Sequence, residues 1–450
     1  MRDSDRFRAL PAGERARRRL SSGRRRVTGT GINVDTMRRI DRWAGVPLCA
    51  LATTVLKLWW RLRRKAPRPV RRVLFIELSE MGSTLLADPA MRKARDRLGA
   101  ELYFVIFAQN ADSLALAATV PRSNVFTIRS TSLPLLIVDV CAFLLWTRRH
   151  AIDAAVDLEL FSRFSALLAG LSGVQQRVGF YRFHNEGLYR GDMLTHRVVY
   201  NPHIHIAKNF IALVDALLAK TPTIPYAKTI IGDDELTIAL PTPSAAARAE
   251  LLTRIQKLAP DFDTRRMRLV LVNPHAGEML PQRRWMPERF AELIRRVLAA
   301  NDDILVLVTG APAERADAER LVAQCGGDRC VSFAGHSAIT DLPALYALAV
   351  VMVAGDSGPA HFAAASGLPT VVLFGPETPH LYRPLGNSIP IYAGLACSPC
   401  VSASNHRKSA CADNVCMYAI SAEQVFKTVN EVLNAPVRDG RLVASRPGPG

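Results

Sequence analysis

After residue 72 the chain settles into a rhythm that leaves few architectures open: a β-rich run, a turn, a helical stretch, and the next β-rich run. VLFIEL (73–78) leads through a Gly-containing turn to MRKARDRLG (91–99), then come ELYFVIF (101–107), AIDAAVDLEL (151–160) and VQQRVGF (174–180). The same rhythm restarts at MRLVLVNP (267–274). It continues through PERFAELIRRVLAA, DILVLVTG, CVSFAG, LPALYALA, VVMVAGD and AHFAAASG to TVVLFG (370–375). Strands alternating with helices make parallel sheets covered on both faces. The sequence therefore predicts an α/β protein with two halves, 71–225 and 267–435. Between them, 226–266 reads as a linker, because TPTIPYAKT and LPTPSAAARAELL suit a connection leading into a helix. Two such halves place the carboxyl ends of their strands around one cleft, which is where parallel sheets bind ligands.

At 450 residues, 49% of them hydrophobic, the chain can bury more than one core. Its net charge of +18 is not spread over that fold. Residues 1 to 72 carry 21 Lys and Arg against five Asp and Glu, a net of +16, which leaves +2 for the other 378 residues. A basic arm over 1–70 and a short tail over 436–450 thus lie outside the two halves. The first part of the arm is Arg-rich and too poor in apolar residues to pack, so it reads as disordered. The second, RRIDRWAGVPLCALATTVLKLWWRLRRKAPRPVRR, has tryptophans at both ends of an apolar stretch and arginines beyond them. Aromatic edges with basic flanks suit an anionic membrane surface, and a helix packed on the body of the protein suits the same residues. The stretch is too short to span a bilayer and contains Pro47 and Lys57. Its long charged lead is unlike that of a signal peptide. No nucleic-acid partner is expected, since the folded halves are not basic and carry no recognised nucleic-acid-binding motif. A second apolar run, LPLLIVDVCAFLLWTRRH (133–150), contains Asp139 and lies between two strand signals, so it reads as a buried connecting helix.

The most informative stretch is AGDSGPAHFAAASGLPTVVLFGP (354–376). A strand ends at Asp356, Ser357 or Gly358 can cap the next helix, and Pro359 suits a first turn that needs no N–H there. The free N–H groups of such a helix start attract an anion, and a diphosphate is a natural guest. Tight packing of small residues, with Asp356 as a capping acid and His361 as a core histidine, accounts for the same pattern.

This stretch resembles the signature of glycosyltransferase family 9, the lipopolysaccharide heptosyltransferase family. NPHAGEMLPQRRWMPERFAELI (273–294), TGAPAERADAE (309–319) and LSEMGSTLLADPAMRKAR (78–95) resemble three further segments of that family, in its order. The resemblance implies two facing Rossmann-like domains, the GT-B arrangement, with a nucleotide-sugar donor in the C-terminal half and the acceptor in the N-terminal half. It implies that Ser357, Gly358 and Pro359 hold the donor diphosphate, with Asp356 and His361 lining the site. Arg283 stands where the family usually has a phosphate-binding Lys, with Arg284 beside it, and Glu314 would take the ribose hydroxyls; an ordinary acid at a helix start is the alternative for Glu314. Gly82 belongs to the first loop, on the acceptor side.

Inverting transfer needs a base for the acceptor hydroxyl, neutralisation of the leaving diphosphate, and alignment of the two substrates. The helix start with Arg283 and Arg284 can do the second without a metal, so no catalytic cofactor is expected. The family's usual base is an Asp after the first-loop glycine, whereas here Ser83 follows Gly82. Glu80 is the leading replacement and Glu77 the fallback; both also read as ordinary loop acids. Cys397, Cys400, Cys411 and Cys416 form C-x2-C-x10-C-x4-C, a spacing that suits structural zinc or reduced loop cysteines. His203 and His205 read as acceptor-side contacts or helix caps, with a zinc pair as the alternative.

The expected function is transfer of a sugar, a heptose from an ADP donor, onto a lipopolysaccharide-core or other lipid-linked acceptor. The expected place is the cytoplasmic face of the membrane, with peripheral attachment. A nucleotide-sugar-binding protein without transfer activity and a nucleotide-sugar epimerase are the alternatives.

Overall fold

A computed structural model describes residues 40–62, 69–78, 81–184, 187–219, 227–238, 240–277, 280–405, 408–435, 437–438 and 441–442. Among them, two six-stranded sheets carry the fold. The first has the order β3-β2-β1-β4-β5-β6, from β1 (Arg72–Ile76), β2 (Glu101–Phe107), β3 (Val125–Ile128), β4 (Ala154–Asp157), β5 (Gln176–Phe180) and β6 (His196–Val198). The second has the order β12-β11-β10-β7-β8-β9. Its strands are β7 (Arg268–Asn273), β8 (Ile304–Val308), β9 (Cys330–Ser332), β10 (Ala349–Gly355), β11 (Thr370–Phe374) and β12 (Ser388–Tyr392). Every pairing within these two sheets is parallel.

The alternation of side chains along the first sheet explains its two helical layers. Val73, Phe75 and Phe104 face one core, shared with α3 (Asp88–Leu98) and α6 (Ile206–Leu218). Leu74, Ile76, Tyr103 and Val105 face the other, beneath α4 (Leu133–Arg149) and α5 (Arg163–Leu171). Between β1 and α3 lies a short helix, α2 (Met81–Leu86). Of the segment 226–266, residues 227–238 rest on the N-terminal domain, where Lys93 pairs with both Asp215 and Glu235. The helix α7 (Ala245–Leu258), capped by Ser244, belongs to the C-terminal domain. It packs there on α10 (Leu342–Leu348), with Arg254 bonding Asp341 at 2.8 Å.

The C-terminal sheet is covered by α8 (Pro287–Ala300), α9 (Arg315–Cys325), α11 (Gly358–Ala365) and α12 (Ala422–Leu433). Trp285 locks the start of α8 in place by donating from its indole nitrogen to the Ile420 carbonyl at 3.0 Å. The C-terminal half is thus a continuous layer from β7 to α12.

Of the two apolar segments, the arm takes one of the two arrangements open to it and the segment 133–150 departs from expectation. The arm contributes α1 (Gly45–Leu62), which packs on α5: Gly45 lies against Arg163, and Trp60 takes the Arg177 guanidinium over its ring at 3.8 Å. That is the body-packed arrangement, yet the outer side of α1 stays open, with Leu51, Val55, Leu58 and Leu62 all more than half exposed. The segment 133–150 is not a buried helix. Only Asp139, Phe143 and Thr147 of α4 are buried, while Leu133, Ile137, Val138 and Leu145 are exposed, because the sheet beneath covers one side of the helix and nothing described covers the other. No helix among the described residues is long and apolar enough to cross a membrane. The first 39 residues and the tail beyond 442 lie outside the described residues.

Candidate active site at the domain cleft

β10 ends at Gly355, and the chain turns through Asp356 and Ser357 into α11. Ser357 occupies the cap position with extended backbone, φ −152° and ψ 163°, but its hydroxyl donates back to the Gly355 carbonyl at 3.2 Å instead of capping the helix. Pro359 sits in the first turn as expected. The N–H groups of this helix start are therefore not taken by a side-chain cap. Below them lie two buried groups, Asp356 and His361, whose nearest charged atoms are 4.0 Å apart. Burial holds the His361 imidazole down at about 4, although Asp356 pulls the other way, so the ring is neutral at physiological pH. Its Nδ1 has no hydrogen-bond partner among the described residues.

Arg283 reaches this site by an indirect route. It comes from the turn Pro281–Arg283, after β7, and its guanidinium lies between two carboxylates, with Nε 3.4 Å from Asp356 and Nη2 bonded to Glu377. It is held there because β10 and β11 are neighbours and their ends bring Asp356 and Glu377 together around it. Burial works against its charge, but the two carboxylates outweigh that and raise its pKa. Burial pushes Glu377 up to about 8, partly offset by Arg283 and reinforced by Asp356. Arg284 is exposed and donates to the Gly277 carbonyl at 3.0 Å.

Glu314 is tied back to its own turn, accepting from the Ala311 N–H at 2.7 Å, which is the capping alternative. Its second oxygen lies 3.8 Å from His275 Nδ1. His275 and Glu377 were missed in the sequence. The only signals were an imidazole just past the Asn-Pro strand end and an acid directly after Phe-Gly-Pro.

The N-terminal domain closes on this site through α2. A Cβ at Gly82 would fall 2.9 Å from Cδ2 of His361, so only glycine lets the first loop approach that ring; Met81 lies beside Gly358. Ser83 follows in the same helix. Glu77 is buried at the end of β1. Glu80 lies outside the described residues.

The two histidines form no metal pair. His205 caps α6, its Nδ1 accepting from the Ala207 N–H at 3.2 Å, and its Nε2 donates across the cleft to the Arg383 carbonyl at 2.8 Å. His203 is exposed, and its carbonyl accepts from Nε2 of His380 at 2.6 Å. Both contacts join the halves.

The four cysteines are free thiols. Cys400 faces Ser409, Cys411 donates to Asp413, Cys416 is buried beneath Gly375, and Cys397 is exposed. Among the described residues no three His, Cys, Asp or Glu side chains converge as metal ligands. Burial pushes the Cys416 thiol up to about 11, and the nearby Cys400, Cys411 and Cys397 add to that shift.

The sequence model of glycosyltransferase family 9 (heptosyltransferase) matches residues 148–410. The chain belongs to this family. Lipopolysaccharide heptosyltransferase 2 of Salmonella typhimurium is 28% identical over 114 residues, which are 25% of this chain and 32% of that protein. The Escherichia coli K12 counterpart is 27% identical over the same shares. The chain thus matches about a third of the length of these curated relatives. Among solved structures, Escherichia coli ADP-heptose lps heptosyltransferase II superposes with a TM-score of 0.61 at 19% identity, covering 80% of this chain and 97% of that one. A family 9 glycosyltransferase from Veillonella parvula gives 0.61 at 17% identity, covering 81% and 97%. The fold is that of two facing Rossmann-like domains.

Proposed function

We propose that this family 9 chain transfers a heptose, with inversion, from an ADP-type nucleotide donor to a lipopolysaccharide-core or other lipid-linked saccharide, at the inner face of a membrane with an anionic surface. The observation that carries the reading is the meeting of α2 and α11. An uncapped helix start, backed by a buried neutral imidazole with an unpartnered nitrogen, faces the first loop of the other domain at van der Waals distance. The helix start receives the diphosphate and stabilises it as it leaves. Arg283, held by Asp356 and Glu377, fixes the local charge without a metal in the reaction. On the acceptor side a carboxylate takes the hydroxyl proton, and Glu80 is the residue proposed for that role.

The test is transfer by the purified protein with a panel of nucleotide sugars and lipid extract, read as nucleotide release and acceptor mass. Glu80→Gln should lower the rate by ~100- to 10,000-fold, while Ser83→Asp should preserve or raise it. A Glu80→Gln rate within about threefold of the parent would remove that assignment. Ser83, in place of the family's acid, favours one other reading, a donor-binding protein without turnover. Tight nucleotide-sugar binding with no transfer on any donor would establish that instead.

A further inference from the structure

α1 and α4 lie on one face of the N-terminal domain. α4 and α5 cover the same side of the first sheet, and α1 packs on α5. Both helices turn an apolar stripe outward. On α1 the exposed residues include Val46, Leu48, Leu51, Val55, Leu58, Trp59 and Leu62, preceded by Trp43 at 78% exposure. On α4 they are Leu133, Ile137, Val138, Cys141 and Leu145, spaced along one side. Paired stripes of this kind mark an interaction surface rather than scattered surface hydrophobics.

We propose that these two stripes together form a membrane-docking face, with α4 as much a part of it as the arm helix α1. The charge pattern selects the partner. α1 contains no acidic residue, and the only acid of α4, Asp139, is buried and paired with Arg129. Basic residues stand at the ends: Arg42 just before α1 and Arg61 in its last turn, Arg148 and Arg149 in the last turn of α4. Apolar stripes with basic rims and tryptophan at the boundary suit an anionic lipid surface, with the helices in its plane. A second copy of the chain would instead bring two arms of like charge together. Residues 1–39, with 12 arginines, are too poor in apolar side chains to cover the face themselves.

The orientation of the helices adds to this. α4 begins just after β3, and α1 begins against Arg163, just after β4, so both stripes start at the end of the sheet that faces the cleft. The docking face thus borders the acceptor side. The proposal deepens the membrane half of the function above and is independent of the reaction.

Sedimentation of the full chain with phosphatidylcholine vesicles, with and without phosphatidylglycerol, tests it without donor or acceptor. The parent should bind the anionic vesicles. Ile137→Asp with Leu145→Asp, and separately Leu51→Asp with Leu58→Asp, should each weaken that binding by about tenfold or more, with thermal midpoint and ADP binding unchanged. A polarity-sensitive label on Cys141, in a Cys397→Ser, Cys400→Ser, Cys411→Ser background, should shift to the blue when anionic vesicles are added, which reads α4 with the apolar side chains of both helices kept. No vesicle binding by the parent would overturn both the docking face and the membrane reading, even if transfer to a soluble acceptor persists. Unchanged binding by the α4 variant with no response from the label would overturn the role of α4 alone. A stable dimer that the same substitutions split into monomers would make this face a contact between copies and overturn the proposal.

Discussion

Glu377 is the residue whose ionisation changes the site most. With Glu377 neutral, its group with Arg283 and Asp356 carries no net charge; ionised, it carries one negative charge directly beneath a helix start suited to a diphosphate. Its folded value of about 8 lies above the ordinary 4.5. The stability that goes with the neutral form is therefore complete below the unfolded value and is lost as pH rises through the folded one. Nucleoside-diphosphate affinity should fall over the upper part of the same window. Glu377→Gln should flatten both profiles, measured as thermal midpoint and ADP dissociation constant between pH 5 and pH 9. Equal slopes in parent and variant would show that another group titrates. The acid after Phe-Gly-Pro marked the position, but its role could not be read from the sequence, because it depends on β10 and β11 being neighbours. The Ser-Gly-Pro helix start, by contrast, was legible from residue types alone.

Among the elements, α2 and α11 depend on each other through one missing side chain. A Cβ at position 82 would press on the buried His361 ring, which has little room to move, so Gly82→Ala should hold the halves slightly apart. Displacements of that size cost roughly 10- to 100-fold in rate where two substrates must be aligned. The expected result is a fall in turnover of that order with the thermal midpoint nearly unchanged, and a variant as fast as the parent would show that the contact does not set the alignment. The central strands β1, β2, β7, β8, β10 and β11 were readable as apolar runs because both their faces are covered. β3, β6 and β12 went unnamed: they lie at or beside sheet edges, where short and partly polar sequences suffice. The misreading of α4 has a similar origin. A helix apolar on nearly every side gives no periodicity from which to tell a buried element from one with an open face.

Across the whole molecule, the chain passes between its halves before α7, and the His205–Arg383 and His203–His380 bonds join them again. Burial holds His205 at about 4, below its ordinary 6.5, so its contribution is present above the unfolded value and is lost as pH falls through the folded one, when Nδ1 can no longer accept. His205→Ala should speed amide exchange both in the first turn of α6 and around residues 379–383, leaving the sheets protected. A response confined to α6 would mean that the bond caps a helix without joining domains. The stripes of α1 and α4, which start together at the cleft rim, carry a further consequence. A protein seated on that face meets a lipid-carried acceptor by sliding in two dimensions, and the encounter rate follows acceptor per unit area, not per unit volume. Diluting the vesicles with buffer should then leave turnover per bound molecule unchanged, while thinning the acceptor within the bilayer should lower it.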